Sequence, residues 1–402
     1  MPHETSLIFT LAIGFVAALA GGMIAVRMGL PPIVGYLIAG IAIGPFSPGI
    51  AADVKIAGQL AEIGVMLMMF GIGMHFSLEE LWAVRRVAIP GALVQIAFAT
   101  ALGAAAAHLW GWPAAAGLVF GLALSVASTV VVFRALEERG VLASADGHIA
   151  AGWLVVEDLV TVLILVMLPV LARVLDNDSA SRALASGAGG PALEIGITIA
   201  KVAAFAFVMP VLGVRILPWL LERVVRTGSR ELFTLAVAAI AIGVACGAAE
   251  LFGVSFALGA FLAGVVVGES DHSGRAAAEM QPLQDVFTVL FFVAVGMLCD
   301  PAIIRTSQIE LATAVAIIVL GKPIAAFILI IALRYPLGTA LTVAASLAQI
   351  GEFSFILGDR GASLGLLPHQ AQGLIVVGAL ASIALNPLAF RAAAAIEKRF
   401  AA

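Results

Sequence analysis

Apolar residues run through this chain in long stretches, and polar positions are confined to short intervals between them. Splitting the sequence at charged residues and at Pro, Gly and Asp punctuation predicts thirteen helices. They cover residues 6–26, 30–46, 56–74, 86–107, 113–133, 148–172, 192–214, 230–249, 254–268, 282–298, 308–333, 337–357 and 369–390. About 20 mostly apolar residues cross the hydrocarbon of a bilayer, so most of these stretches have the length of a crossing, 30–46 and 254–268 being short for one. The expected fold class is an all-α polytopic membrane protein with about thirteen transmembrane helices.

Composition supports that reading and removes others. The chain has 402 residues, 62% of them hydrophobic and 11% charged, against about 25% charged in soluble domains. A water-solvated surface cannot be built from it. The net charge of −4 gives no footing for a nucleic-acid partner. Cys246 and Cys299 lie far apart in apolar segments and read as packing residues, not as a disulfide or metal site. No Lys or Arg precedes the stretch from Leu7 to Val26, so despite its Ala18-Leu19-Ala20 run it is expected to be a retained helix, not a signal peptide.

Charge asymmetry orients the predicted helices. Fourteen basic residues, among them Arg27, Arg134, Arg215, Arg223, Arg275 and Arg399, fall in loops after odd-numbered helices or in the tail, against five on the other side. The positive-inside rule then places the N-terminus outside and the C-terminus in the cytoplasm. The Gly/Ser/Ala-rich stretch 176–191 separates six helices from seven. Helices 1–6 and 8–13, flanking a linker helix, form two inverted six-helix repeats, a common build of secondary transporters. The expected organisation is a first repeat over 1–175, linker and helix 7 over 176–229, a second repeat over 230–391 and a cytosolic tail over 392–402.

One stretch, GWLVVEDLVTVLILVMLP (152–169), places Glu157 and Asp158 side by side inside a membrane-length apolar run. Asp158 lies about ten residues into its helix, about 15 Å deep and so near the centre of a core about 30 Å thick. Charged groups at that depth face a water-filled cavity, pair with one another or mark an ion route. A structural ion pair is the bland alternative, but one buried partner cannot neutralise two adjacent acids. Lys322, at mid-helix in VLGKPIAAFILI, is the natural counter-charge.

Two further segments disfavour continuous helix at the same depth: SVAST, from Ser125 to Thr129, and AQIGEFS, from Ala348 to Ser354. Each falls in the fifth helix of its repeat. Broken helices leave backbone groups free to bind ions. Asp158, Glu157, Ser128 and Thr129 offer oxygen ligands to a hard monovalent cation. With no nucleophile–base pair, Cys/His cluster or phosphate-cradling glycine loop evident, the chemistry reads as transport and not as an enzyme reaction.

The stretches LPPIVGYLIAGIAIGP (30–45), LAEIGVMLMMFGIGMHFSLEEL (60–81), SVASTVVV (125–132), VVEDLV (155–160), GKP (321–323) and AQIGEFSFIL (348–357) resemble, in order, the monovalent cation:proton antiporter-2 family. Within it the chain is similar to the Kef-type potassium efflux branch and its YbaL-like group. The resemblance implies a sodium/proton antiporter-like fold with crossed discontinuous helices, and a homodimer in a bacterial inner membrane. Asp158 would bind either a cation or a proton, Ser125, Ser128 and Thr129 would line the first unwound segment, and Gln349 and Glu352 would belong to the second. Lys322 would match the family's buried basic residue.

Kef proteins carry a Gln-Asp pair where this chain has Glu157-Asp158, while electrogenic sodium/proton relatives carry Asp-Asp with a lysine. The substrates implied are potassium or sodium and protons, with no cofactor in the chain. Kef-type proteins also usually continue into a cytosolic nucleotide-binding regulatory domain, which would attach after EKRFAA at the C-terminus. The expected function is exchange of a monovalent cation, potassium first, for protons by alternating access. The alternatives are a sodium/proton antiporter, a gated potassium channel, for which no TVGYG-like filter is present, and a sodium-coupled organic-anion symporter.

Glu157 is expected either to carry a second proton or to pair with Lys322. Lys201 reads as a snorkelling or paired lysine and Glu62 as lining an entrance or making a structural hydrogen bond. His75, His108, His148, His272 and His369 read as interface residues, and Glu269, Asp271 and Glu279 as a solvated acidic cluster.

Overall fold

A computed structural model describes residues 6–47, 52–74, 78–142, 144–175, 200–201, 204–205, 207–253 and 256–401. Every regular element among them is helical. The helices are α1 (Ser6–Arg27), α2 (Pro32–Ile43), α3 (Val54–Met74), α4 (Leu78–Leu109), α5 (Ala114–Ser125), α6 (Thr129–Glu138) and α7 (Ala145–Leu175). After them come α8 (Val214–Val225), α9 (Arg230–Phe252), α10 (Phe256–Gly268), α11 (Ser273–Met297) and α12 (Gln308–Ala332). The last are α13 (Leu337–Ser346), α14 (Glu352–Ser363) and α15 (His369–Ala401). Among the described residues, eight helices are long and apolar enough to cross a membrane.

The expected elements recur with longer ends. Helix α4 begins at Leu78, α11 at Ser273, and α15 runs to Ala401 through the segment expected as a tail. Apolar runs measure the thickness of hydrocarbon, whereas helices continue into the headgroup region, where charged side chains are solvated. The interval 215–229, expected as a loop, is mostly helix α8: Leu217 and Leu221 are buried, while Ile216, Trp219 and Leu220 are exposed. Its apolar residues follow the helical period among arginines, so no continuous apolar run betrays it. The linker 176–191, residues 192–199, 202, 203 and 206 of the expected helix 192–214, and His75 lie outside the described residues.

The chain divides into two compact units. The first comprises Met1–Phe15, Ala52–Phe76 and Val162–Ala294. In it α3 packs on α10 and α9, and α8 packs on α9 and α10. An ion pair at 2.8 Å joins Arg230 to Glu279, and Glu222 receives Arg226 at 3.1 Å and His272 at 2.9 Å.

The second unit comprises Val16–Ala51, Ser77–Thr161 and Val295–Ala402. Its densest packing is α4 against α5, where a Cβ on Gly103 would lie 2.4 Å from Gly121 Cα. Such close approach of backbones is how helices gain contact in a lipid solvent that offers no hydrophobic drive between them. Around this pair, α12 packs on α4 and α13, α14 on α5 and α15, and α15 on α13 and α2.

Candidate ion-binding site

The site grows out of two interrupted helices in the second unit. Helix α5 stops at Ser125, whose hydroxyl bonds back to Leu122 O at 2.8 Å. Val126 and Ser128 are extended, and helix α6 starts at Thr129. Ser128 caps it, accepting from Val131 N at 3.3 Å, as serine does where a helix must begin. Helix α13 stops at Ser346, and α14 resumes at Glu352 after the extended Gly351.

The two breaks touch. A Cβ on Gly351 would fall 2.2 Å from Ser128 Cβ, so only glycine allows this approach. The Gln349 amide takes the place of helical partners, accepting from Ser128 N and donating to Ser128 O, each at 3.1 Å. Ser354 Oγ donates to Val126 O at 3.3 Å. Backbone groups freed by the first break are thus met by side chains at the second.

Three carboxyl groups converge on this crossing. Glu157 Oε2 accepts from Ala127 N at 3.0 Å, Asp158 Oδ2 from Thr129 Oγ1 at 2.8 Å, and Glu352 Oε2 from Ser128 Oγ at 2.8 Å. The second oxygen of each, Glu157 Oε1, Asp158 Oδ1 and Glu352 Oε1, is buried without a hydrogen-bond partner. All three residues are at most 4% exposed. The Trp153 indole Nε1 is likewise buried without a hydrogen-bond partner.

Lys322 is fully buried and donates from Nζ to Gln349 O at 2.8 Å. Among the described residues no carboxylate oxygen comes within 4.0 Å of that ammonium. It acts on Glu157 through space, while Asp158 feels the two other carboxyls, Glu352 and Glu157. Lys322 directly follows a π-helical turn, Ile317–Gly321. Pro323 has no N–H to give the preceding turn and crowds it, a cause sufficient to widen the helix at this point.

All eight residues singled out in the sequence, Ser125, Ser128, Thr129, Glu157, Asp158, Lys322, Gln349 and Glu352, therefore meet in one buried cluster. Sequence reasoning missed Gln95, which donates from Nε2 to Ser125 O at 2.9 Å, and the role of Ser354. Gln95 had left a signal: it is a lone amide at the centre of an apolar span, in LVQIAF. Glu62, Lys201, His108, His148 and His369 are exposed. Of the acidic cluster, Glu269 and Asp271 are exposed, and Glu279 is held by Arg230 and by Thr234 Oγ1 at 3.1 Å.

This geometry sits in a recognisable sequence frame. Residues 14–395 match the transmembrane sodium/hydrogen exchanger family. The chain belongs to that family. Among its relatives, YbaL of Escherichia coli (strain K12), provisionally named a cation/proton antiporter, is 53% identical over 401 residues, covering 100% of this chain and 70% of YbaL. K(+) efflux antiporter 4 of Arabidopsis thaliana is 32% identical over 390 residues, covering 96% of this chain and 64% of that protein. Among solved structures, the sodium proton antiporter MjNhaP1 from Methanocaldococcus jannaschii matches with a TM-score of 0.64 at 15% identity, over 96% of this chain and 97% of that one. The family resemblance drawn from the motifs is borne out, and the exchanger fold is shared.

Proposed function

We propose that this chain exchanges a monovalent cation for protons by alternating access. The observation that carries the proposal is the charge count of the cluster. Three carboxyl groups and one ammonium, all ionised, leave two negative charges near the middle of the spans. Leaving a charge bare at such depth costs about 3 kcal/mol or more. Protons or monovalent cations relieve that cost, and three unpartnered oxygens beside Thr129 and Ser128 offer the ligands.

Coupling follows from the same cost. Asp158 releases a proton on one side, takes a cation in its place, and the cluster, with one negative charge covered, then opens to the other side. The empty, charged state is the one that does not cross, so neither substrate moves without the other. All members of the cluster belong to one compact unit, so the site changes access as a body.

Potassium is the first candidate, from the potassium efflux antiporters among the relatives. Sodium is the second reading, favoured by the fold shared with a sodium proton antiporter. The proposal includes a bacterial inner membrane, an outside N-terminus, a cytoplasmic C-terminus and a homodimer. The chain spans about two thirds of the length of the relatives named above. A cytosolic nucleotide-binding regulatory domain is the further partner proposed at the cytoplasmic end of α15.

Proteoliposomes loaded with a pH dye and given potassium, sodium or lithium gradients test this. Cation-driven proton movement in the wild type, lost in Asp158→Asn, is the expected result. Cation flux without proton movement would instead indicate a channel.

A further inference from the structure

A carbonyl freed at each helix interruption is met by different chemistry. At the second break, Gln349 O accepts from the ammonium of Lys322, 27 positions earlier in the chain. At the first break, Ser125 O accepts from the amide of Gln95, 30 positions earlier. Lys322 lies near the centre of the span Gln308–Ala332 and Gln95 near the centre of Val84–Leu109. The two helices pack on one another, and both side chains are fully buried. Since Ser125 O can only accept, the group facing it is the Gln95 NH2, and the Gln95 Oε1 is left buried without a partner.

We propose that Gln95 is a positioning residue of the ion site, the uncharged counterpart of Lys322, and that its neutrality keeps the first break receptive to the transported cation. This deepens the exchange reading and rests on it. A helix end presents carbonyl oxygens and partial negative charge. Lys322 puts a full positive charge on the freed Gln349 carbonyl inside the second break. Gln95 holds the first carbonyl end in place and adds no charge, so the field of Glu157, Asp158 and Glu352 at Ser128 and Thr129 is opposed by one ammonium and not by two.

The test measures potassium-driven proton movement in proteoliposomes, and in parallel potassium-dependent thermal stabilisation of the purified protein, for the wild type, Asp158→Asn, Gln95→Met, Gln95→Lys and Gln95→Lys/Lys322→Gln. Gln95→Met loses the amide but keeps the bulk, and is expected to raise the potassium KM about 5–10-fold with kcat within about twofold. Gln95→Lys places a second ammonium in the cluster and is expected to raise KM more, by about 30-fold or beyond. Moving the charge in the double variant restores the net charge and is expected to recover KM to within about fivefold of the wild type.

Equal KM in wild type, Gln95→Met and Gln95→Lys would overturn the proposal, as would a double variant worse than Gln95→Lys alone, which is the mark of a packing role. Should Gln95→Met not fold, the comparison of Gln95→Lys with the double variant decides. Loss of exchange in Asp158→Asn with the wild type active keeps the exchange reading intact whatever the Gln95 variants do. An inactive wild type removes that reading and this inference together.

Discussion

The first break, Val126–Ser128, and the second, Leu347–Gly351, solve one physical problem with different residues. Both must stop a helix in the middle of the membrane without orphaning backbone groups. The first has a side-chain cap of its own, Ser128, and takes the Gln349 amide from the second. The second has no side-chain cap and leans on a glycine that lets the first approach. A carbonyl freed at the first meets a neutral amide and one freed at the second an ammonium. Broken helices in a bilayer therefore need partners but not any particular charge, and the charge can be placed to suit the cargo.

The largest effect is expected from Asp158→Asn, which removes the carboxylate that the exchange reading makes the carrier. Coupled exchange should fall at least about 100-fold, since a few kcal/mol of lost discrimination is that large in rate, with folding retained by size-exclusion chromatography. Next comes Gly351→Ala, which breaks the contact between the two breaks. A methyl group 2.2 Å from Ser128 Cβ should destabilise by about 1–3 kcal/mol in thermal melts and depress exchange with it.

Lys322→Gln makes the two carbonyl ends alike. The hydrogen bond to Gln349 O can persist, so the protein should fold. The potassium KM should fall about tenfold once the opposing ammonium is gone. Ser128→Ala takes away the cap of α6 and the partner of Glu352 together. It should lower thermal stability by about 1 kcal/mol and exchange several-fold.

The smallest effect belongs to the first compact unit. Glu222 is held below its ordinary value near 4.5, first by the hydrogen bond with His272 and then by Arg226. A carboxyl lowered in the folded state adds stability above its unfolded value and loses it as pH falls through the folded one. Thermal stability of Glu222→Gln should therefore trail the wild type slightly at pH 6 and meet it below about pH 4. The pair is open to water, which keeps the difference small.

Much of this was legible before any coordinates. A carboxylate pair in an apolar run stands out because nothing else in that run is charged, and SVAST and AQIGEFS stand out because their residues disfavour helix inside long apolar stretches. The partnering was not legible. Lys322 was expected opposite an acid, yet its ammonium meets Gln349 O while Glu157 meets Ala127 N. A side chain's hydrogen-bond partner is chosen by which backbone group a break leaves free, and that depends on the angle at which two helices cross.

The amino-acid sequence alone determined that the chain lives in a bilayer, that Glu157, Asp158 and Lys322 fall inside apolar runs, and to which family it belongs, because hydropathy, local punctuation and ordered motifs are properties of one dimension. Tertiary structure decided which oxygens are free, why position 351 must be glycine and that Gln95 matters. Those facts turn on contacts such as Ser128 with Gln349, which are 221 residues apart. Burial of three half-satisfied carboxyls together is a property of the folded packing, and no local pattern encodes it.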